Sequence, residues 1–157
     1  MGGNIRAGTC GKPHPAAPTG RSNGVISNFI PAFVAALVAM AVVDGMWLGT
    51  VARGFYRRHL GFLMADRPNW AAAVAFYLLY VLGVTVFAVL PAVDAGAIGE
   101  AAWRGALFGL VAYATYDLTN AATLRDWPAR ITLVDMAWGT LLTAIVAVTS
   151  SAVVTWL

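Results

Sequence analysis

Three aspartates interrupt three separate apolar stretches of the chain, at Asp44, Asp117 and Asp135. A carboxylate is costly to place in hydrocarbon, so it normally faces the interior of a helix bundle and marks a ligand, ion or proton site. Carboxylates brought close together also repel one another, which favours protonation of at least one of them or neutralisation by a cation. We therefore interpret these three positions as the charged part of one site.

Aromatic and amide side chains accompany the aspartates at helical spacing. Tyr113, Asp117 and Asn120 are separated by four and three residues, which places them on one face of a helix. Each of the other two aspartates is followed three residues later by a tryptophan. The candidate ligand-binding residues are Asp44, Trp47, Tyr113, Asp117, Asn120, Asp135 and Trp138.

The composition is that of an integral membrane protein. Of 157 residues, 60% are hydrophobic and 11% are charged, whereas a soluble domain carries about a quarter charged residues. The formal net charge is +3, and the basic residues lie in loops and in the tail, where they indicate topology and headgroup contacts rather than nucleic-acid binding. Cys10 is the single cysteine, which excludes an intrachain disulfide.

Four apolar stretches of twenty or more residues are long enough to cross a bilayer as helices. They lack the alternation of barrel strands, so they predict an all-α fold, an integral membrane four-helix up-down bundle. Pro91 is expected to close the second helix. Residues 1–25 are rich in Gly, Pro and small polar residues and predict a disordered leader before the four-transmembrane-helix domain, 26–157. The stretches are 29–52, 70–93, 105–124 and 131–157.

A segment that mixes arginines with apolar residues joins the first two stretches. Phe55 and His59 are four residues apart with Arg57 and Arg58 between them, which predicts a short interfacial helix at the headgroup level. The loops after the first and third stretches are richer in arginine than the opposite side, and the positive-inside rule places them in the cytoplasm. Both termini are then expected on the outer side of the membrane.

An up-down arrangement brings the three aspartates to a similar depth. Asp44 and Asp117 lie eight and seven residues before the ends of their stretches, about 12 and 10 Å from the arginine-rich face. Asp135 lies four residues into its own stretch, about 6 Å from the same face. All three therefore share one half of the membrane, whichever way the protein is inserted.

A purely structural role is the alternative for each aspartate. A buried carboxylate can accept hydrogen bonds from neighbouring helices, and each such bond contributes about 0.6 kcal/mol in a membrane. Asp135 could also face the positive end of its helix or pair with Arg130. Three carboxylates in one layer favour a ligand, cation or proton site over three unrelated bonds.

Missing motifs exclude several classes of membrane enzyme. Only His14 and His59 are present, and His14 lies in the leader, so paired-histidine haem ligation and multi-histidine iron sites are not available. The motifs HExxH and GxSxG and the phosphate-binding loop are absent. No cofactor and no metal ligand is predicted, and an enzyme would have to work with carboxylates and tyrosines.

Five short segments carry a family resemblance. Over about residues 28–157 the chain resembles the small bacterial membrane proteins grouped as domain of unknown function 2177. The resemblance implies a four-helix inner-membrane protein without an assigned activity or assigned catalytic residues. It also implies that the genes of such proteins can lie beside genes for fatty-acyl-modifying enzymes, which hints at a function in lipid chemistry. The segments are VVDGMWLG at 42–49, GFYRRHLG at 54–61, AYATYDLTN at 112–120, ATLRDWP at 122–128 and VDMAWGT at 134–140.

Three functions follow from these observations and stay open at this point. The first is a non-enzymatic protein that binds a small polar ligand, a lipid headgroup or a cation through the aspartates. The second is a lipid- or fatty-acyl-modifying enzyme, or its accessory subunit, that uses one carboxylate as acid or base. The third is an oligomeric proton- or cation-coupled transporter, because four helices alone form only a thin pore. Membrane lipids are the expected partners; a homo-oligomer or a membrane-enzyme partner is open, and nucleic acid is not expected.

Overall fold

The computed structural model describes residues 21–157, with side chains from Ser27 onwards, and this part of the chain is helical without a strand. Residues 1–20 of the predicted leader lie outside the described residues, and α1 begins at Arg21. The remaining helices follow in close succession, joined by short connections or by single π-helical turns. They are α1 Arg21–Trp47, α2 Arg53–Leu60, α3 Trp70–Val84, α4 Leu90–Ala95, α5 Ile98–Thr123 and α6 Ala129–Trp156.

The first two helices form one continuous helical segment. A π-helical turn, Leu48–Ala52, connects α1 to α2, so the backbone stays helical from the membrane-length part into the arginine-rich part. The predicted interfacial helix therefore corresponds to α2 in sequence, but no loop separates it from α1. A π-helical turn adds one residue to a single turn and rotates the following side chains, and such turns occur frequently at functional sites.

Pro91 does not close the second helical segment, contrary to the prediction. A π-helical turn, Thr85–Val89, precedes it, and α4 continues through Leu90–Ala95. Proline lacks an N–H, and its ring clashes with the carbonyl one turn earlier in a regular α-helix. The wider π-helical turn accommodates this change in hydrogen bonding, and the helix ends instead at Gly96, whose φ of +62° favours glycine.

Three helical segments of the described chain are long and apolar enough to cross a membrane, at 27–60, 70–95 and 129–156. The fourth predicted span lies in α5, which has 26 residues but is not among these three. Its second half carries the tyrosines, Asp117 and Asn120, which lower its hydropathy. The apolar residues that the helices expose, such as Leu79 at 71% and Leu133 at 70%, suit a lipid environment.

The closest helix packing is between α5 and α6, and glycines make it possible. A Cβ added to Gly105 would lie 2.7 Å from the carbonyl oxygen of Thr143, and one added to Gly109 would collide with the backbone of Gly139. These contacts pair increasing residue numbers in α5 with decreasing numbers in α6, so the two helices are antiparallel. Small residues at such contacts let helix backbones approach where lipid provides no hydrophobic driving force.

Small and branched apolar residues form the rest of the core. Ala32, Ala36 and Met40 recur every four residues along α1 and are fully buried, as are Val81 and Val84 of α3. This packing fixes α1 and α3 against α6 and holds the polar ends of these helices in register. The buried charged residues are Asp44, Asp117 and Asp135, all belonging to the predicted site.

Candidate functional site

Asp44 connects three helices. Its carboxylate, on α1, is buried and accepts a hydrogen bond from the Tyr77 hydroxyl of α3. Its other oxygen accepts a hydrogen bond from the indole Nε1 of Trp138, on α6, at 3.2 Å. Both carboxylate oxygens therefore have donors, which is the arrangement expected of a carboxylate that holds helices together.

The two predicted tryptophans lie against each other. The rings of Trp47 and Trp138 are stacked, with centroids 4.4 Å apart and an interplanar angle of 14°. Trp138 therefore contacts the aspartate and the tryptophan of α1, rather than only Asp135 on its own helix. The Asp–Trp spacing occurs in both α1 and α6, and the two tryptophans contact each other between the helices. Spacing along a single helix does not reveal this contact.

Asp135 connects α6 to the arginine-rich helix α2. The hydroxyl of Tyr56 donates a hydrogen bond to one oxygen of this buried carboxylate. Tyr56 is not among the predicted site residues, because an interfacial helix is expected to face headgroups and not the bundle. The sequence signal for Tyr56 is its position in a basic segment, three residues after Arg53 and one before Arg57.

Asp117 differs from the other two aspartates. Its side chain is 0% exposed, and neither carboxylate oxygen has a hydrogen-bond partner among the described residues. The facing helix α6 carries Asp135. The one salt bridge between described residues, from Arg104 to Glu100 at 2.6 Å, is near the start of α5 and does not reach it. A buried polar group without a partner carries a substantial desolvation cost, and this favours a bound partner.

The other members of the predicted stripe on α5 are only partly buried. Tyr113 packs its ring against Gly139, where an added Cβ would collide with it. Asn120 is half-buried and lies beside the hydroxyl of Tyr116. The stripe thus runs from the centre of the aspartate layer towards its edge.

A cavity of about 330 Å³ adjoins this layer between α3 and α5, with α6 behind it. Four aromatic rings form most of its lining, and we call them the aromatic wall. Asp135 is the one charged residue that contacts the cavity. The aromatic wall consists of Phe76, Tyr80, Tyr113 and Tyr116, and Ala112 completes the lining.

The structure brings the predicted residues together, but in two groups. Asp44, Trp47 and Trp138 form a bonded and stacked group at α1. Asp135 and Tyr113 line the cavity, whereas Asp117 is buried on α5 and is not part of the lining. Sequence reasoning did not select Tyr56, Tyr77, Phe76 or Tyr116 as site residues. Only packing shows that the hydroxyl of Tyr77 bonds Asp44.

The described residues contain no group of three or more His, Cys, Asp or Glu side chains placed to hold a metal ion. A divalent metal usually takes several oxygen ligands, and two neighbouring carboxylates supply only part of such a set. The arrangement is suited chemically to a positively charged or hydrogen-bonding group that can reach one or both of Asp117 and Asp135.

One comparison with known proteins gives a match. The family model described as "Predicted membrane protein (DUF2177)" matches residues 29–152 and so covers both groups of site residues. No curated protein and no solved structure matches the chain.

Proposed function

The chain belongs to the DUF2177 family of predicted membrane proteins, and from that premise we propose that it binds a polar ligand within the membrane. The ligand is a small polar molecule, a lipid headgroup or a cation, held at Asp117 and Asp135. Asp44, with Trp47 and Trp138, forms the neighbouring wall.

The unpartnered carboxylate of Asp117 is the observation that carries this proposal. A residue kept only to join helices would have donors, as Asp44 does from Tyr77 and Trp138. Asp117 is fully buried without one, and Asp135 on the facing helix α6 has a single donor, Tyr56. An acceptor-rich, donor-poor pair of this kind is suited to a ligand that supplies positive charge or hydrogen-bond donors.

The proposed membrane arrangement has four spans in an up-down bundle of the bacterial inner membrane. Helix α5 would be the third span, since 26 residues at 1.5 Å each reach about 39 Å and exceed the hydrocarbon thickness. Helix α2 would lie at the headgroup level, because Arg53, Arg57 and Arg58 are exposed. The arginine-rich loops would be cytoplasmic and both termini outside.

Native mass spectrometry of the full-length protein, extracted gently from bacterial membranes, tests the proposal. We expect the wild-type protein to retain a non-covalently bound species that Asp117→Asn loses. The matched control is Asp126→Asn, in an exposed loop with a φ of +58° that asparagine accepts readily. If Asp117→Asn retains the same species as the control, Asp117 does not bind it and the proposal fails.

A further inference from the structure

The residues that line the cavity indicate which chemical class of ligand it binds. The inference drawn from them rests on the proposed function. Four of the six lining residues are aromatic, and the cavity lies between α3 and α5. Aromatic rings offer little to an anion or to a strongly hydrated metal ion. They attract organic cations, because the face of each ring is negatively polarised, and aromatic cages are the usual means of recognising ammonium groups.

The charges around the cavity favour a cation. Asp135 contacts the cavity, Asp117 lies on α5, which forms one side of it, and the lining contains no lysine or arginine. Asp117 has no hydrogen-bond partner among the described residues, and Asp135 receives a single hydrogen bond from Tyr56. An anionic group placed here would be repelled by both carboxylates, whereas an ammonium group would neutralise at least one of them.

Two wall rings are held in place by their surroundings. The Tyr80 hydroxyl shares a hydrogen bond of 2.6 Å with the Thr143 hydroxyl, and Thr143 in turn donates to the carbonyl oxygen of Gly139 at 2.6 Å. The ring of Tyr113 packs on Gly139, and the ring of Tyr80 contacts both Tyr113 and Phe108 edge-on. The wall is therefore formed before a ligand arrives, which reduces the entropy lost on binding.

The other two rings stand at the rim. Phe76 is 48% exposed and Tyr116 is 57% exposed, so the cavity opens at the side of the helices. The exposed side of membrane-spanning helices faces acyl chains, and an amphiphile could place its head in the cavity while its chains remain in the bilayer. A volume of about 330 Å³ is at the small end of ligand pockets and suits a headgroup-sized moiety.

We infer that the cavity binds an alkylammonium group, with Asp135 as its counter-charge and the aromatic wall as its surroundings. The same chemistry is offered by an aminophospholipid headgroup and by a free alkylamine. The lateral opening favours the lipid source, and the experiment compares the two.

Binding is measured by native mass spectrometry of the purified full-length protein in a neutral detergent, titrated with three probes. Phosphatidylethanolamine carries the ammonium group on a lipid, ethanolamine carries it without acyl chains, and phosphatidylglycerol has the chains without the ammonium group. We expect phosphatidylethanolamine to bind tightest and phosphatidylglycerol to bind at least about tenfold more weakly, which corresponds to about 1.4 kcal/mol.

Two variants locate the binding. Asp135→Asn removes the counter-charge and should weaken phosphatidylethanolamine binding by about 30-fold or more. Phe76→Leu keeps an apolar side chain at the half-exposed rim but removes one ring face. This variant should weaken phosphatidylethanolamine binding by about 2- to 30-fold. Phe87→Leu is the matched control, because Phe87 is an exposed aromatic residue, at 62%, that does not line the cavity. Phe76→Leu keeps the test valid if Asp135→Asn does not fold.

The outcomes separate this inference from the proposed function. Equal binding of phosphatidylglycerol and phosphatidylethanolamine, both lost in Asp117→Asn, would overturn the ammonium assignment and leave the polar site standing. Unchanged ammonium binding in both Phe76→Leu and Asp135→Asn would also overturn it. Ethanolamine binding with the same dependence on the variants would support the ammonium chemistry and assign a soluble source. If no probe binds and Asp117→Asn retains every native species, both proposals fail together.

Discussion

Asp44 and Asp117 are both buried carboxylates in apolar helices, yet their surroundings are opposite. Asp44 accepts hydrogen bonds from Tyr77 and Trp138, whereas Asp117 has no partner among the described residues. The first arrangement stabilises the fold, because donors from two other helices converge on one acceptor. The second arrangement leaves the Asp117 carboxylate as an acceptor that is available to a bound ligand.

This contrast predicts opposite effects on stability. Asp44→Asn replaces an anionic acceptor and introduces an N–H₂ group that faces existing donors, so the free energy of unfolding should fall by about 1–3 kcal/mol. Asp117→Asn removes an unpaired buried charge and should leave stability of the ligand-free protein unchanged or raise it. Thermal unfolding in detergent, followed by circular dichroism, measures both variants beside Asp126→Asn. A loss of stability in Asp117→Asn equal to that in Asp44→Asn would indicate that Asp117 is structural.

At the scale of the elements, the continuous segment from α1 to α2 explains how a basic helix reaches the aspartate layer. The π-helical turn, Leu48–Ala52, changes which way the following side chains point. Tyr56 of α2 then faces Asp135 of α6, while Arg53, Arg57 and Arg58 remain exposed. One short helix therefore donates a hydrogen bond to Asp135 and presents three exposed arginines.

Asp117 and Asp135 lie on α5 and α6, and the contact between these helices depends on backbone approach at glycine. Gly109→Ala should destabilise the protein by about 1–3 kcal/mol, because the added methyl group would collide with the carbonyl oxygen of Gly139 and the hydroxyl of Thr143. Gly99→Ala, also on α5, is the matched control, since a Cβ there has nothing within 4 Å. Thermal unfolding of the two variants tests this packing. Equal melting temperatures for both would contradict it.

At the scale of the whole molecule, the number of spans and their direction can be tested with single cysteines in a Cys10→Ala background. The proposed arrangement places Asp66→Cys and Arg125→Cys in the cytoplasm and Ala97→Cys outside. A membrane-impermeant maleimide should therefore label only Ala97→Cys in intact spheroplasts, and all three after permeabilisation. All three positions are exposed, so failure to label cannot come from burial in the protein.

The pattern of labelling also decides the status of α5. If α5 crosses the membrane, positions 66 and 125 share one side. Labelling of Arg125→Cys together with Ala97→Cys would show that α5 does not cross. Labelling of positions 66 and 125 alone would indicate four spans in the opposite orientation.

Much of the fold was predictable because lipid leaves a chain few options. Backbone groups must bond within a segment, so long apolar stretches predict helices, and the membrane class is confirmed by the family match over residues 29–152. The continuation of the helix past Pro91 was not predictable, since the rule for proline in a regular α-helix does not anticipate a preceding π-helical turn.

By itself, the sequence predicts that three carboxylates lie in apolar helices at a similar depth, because depth in an up-down bundle follows from counting residues from the helix ends. It could not determine which neighbours each carboxylate meets, since rotation and approach of the helices are set by contacts distant in sequence. Only the tertiary structure shows Trp138 bonded to Asp44, Tyr56 bonded to Asp135, and Asp117 buried without a partner. The close approach of α5 and α6 at their glycines packs together the helices that carry these last two carboxylates, and Asp135 lines an aromatic cavity.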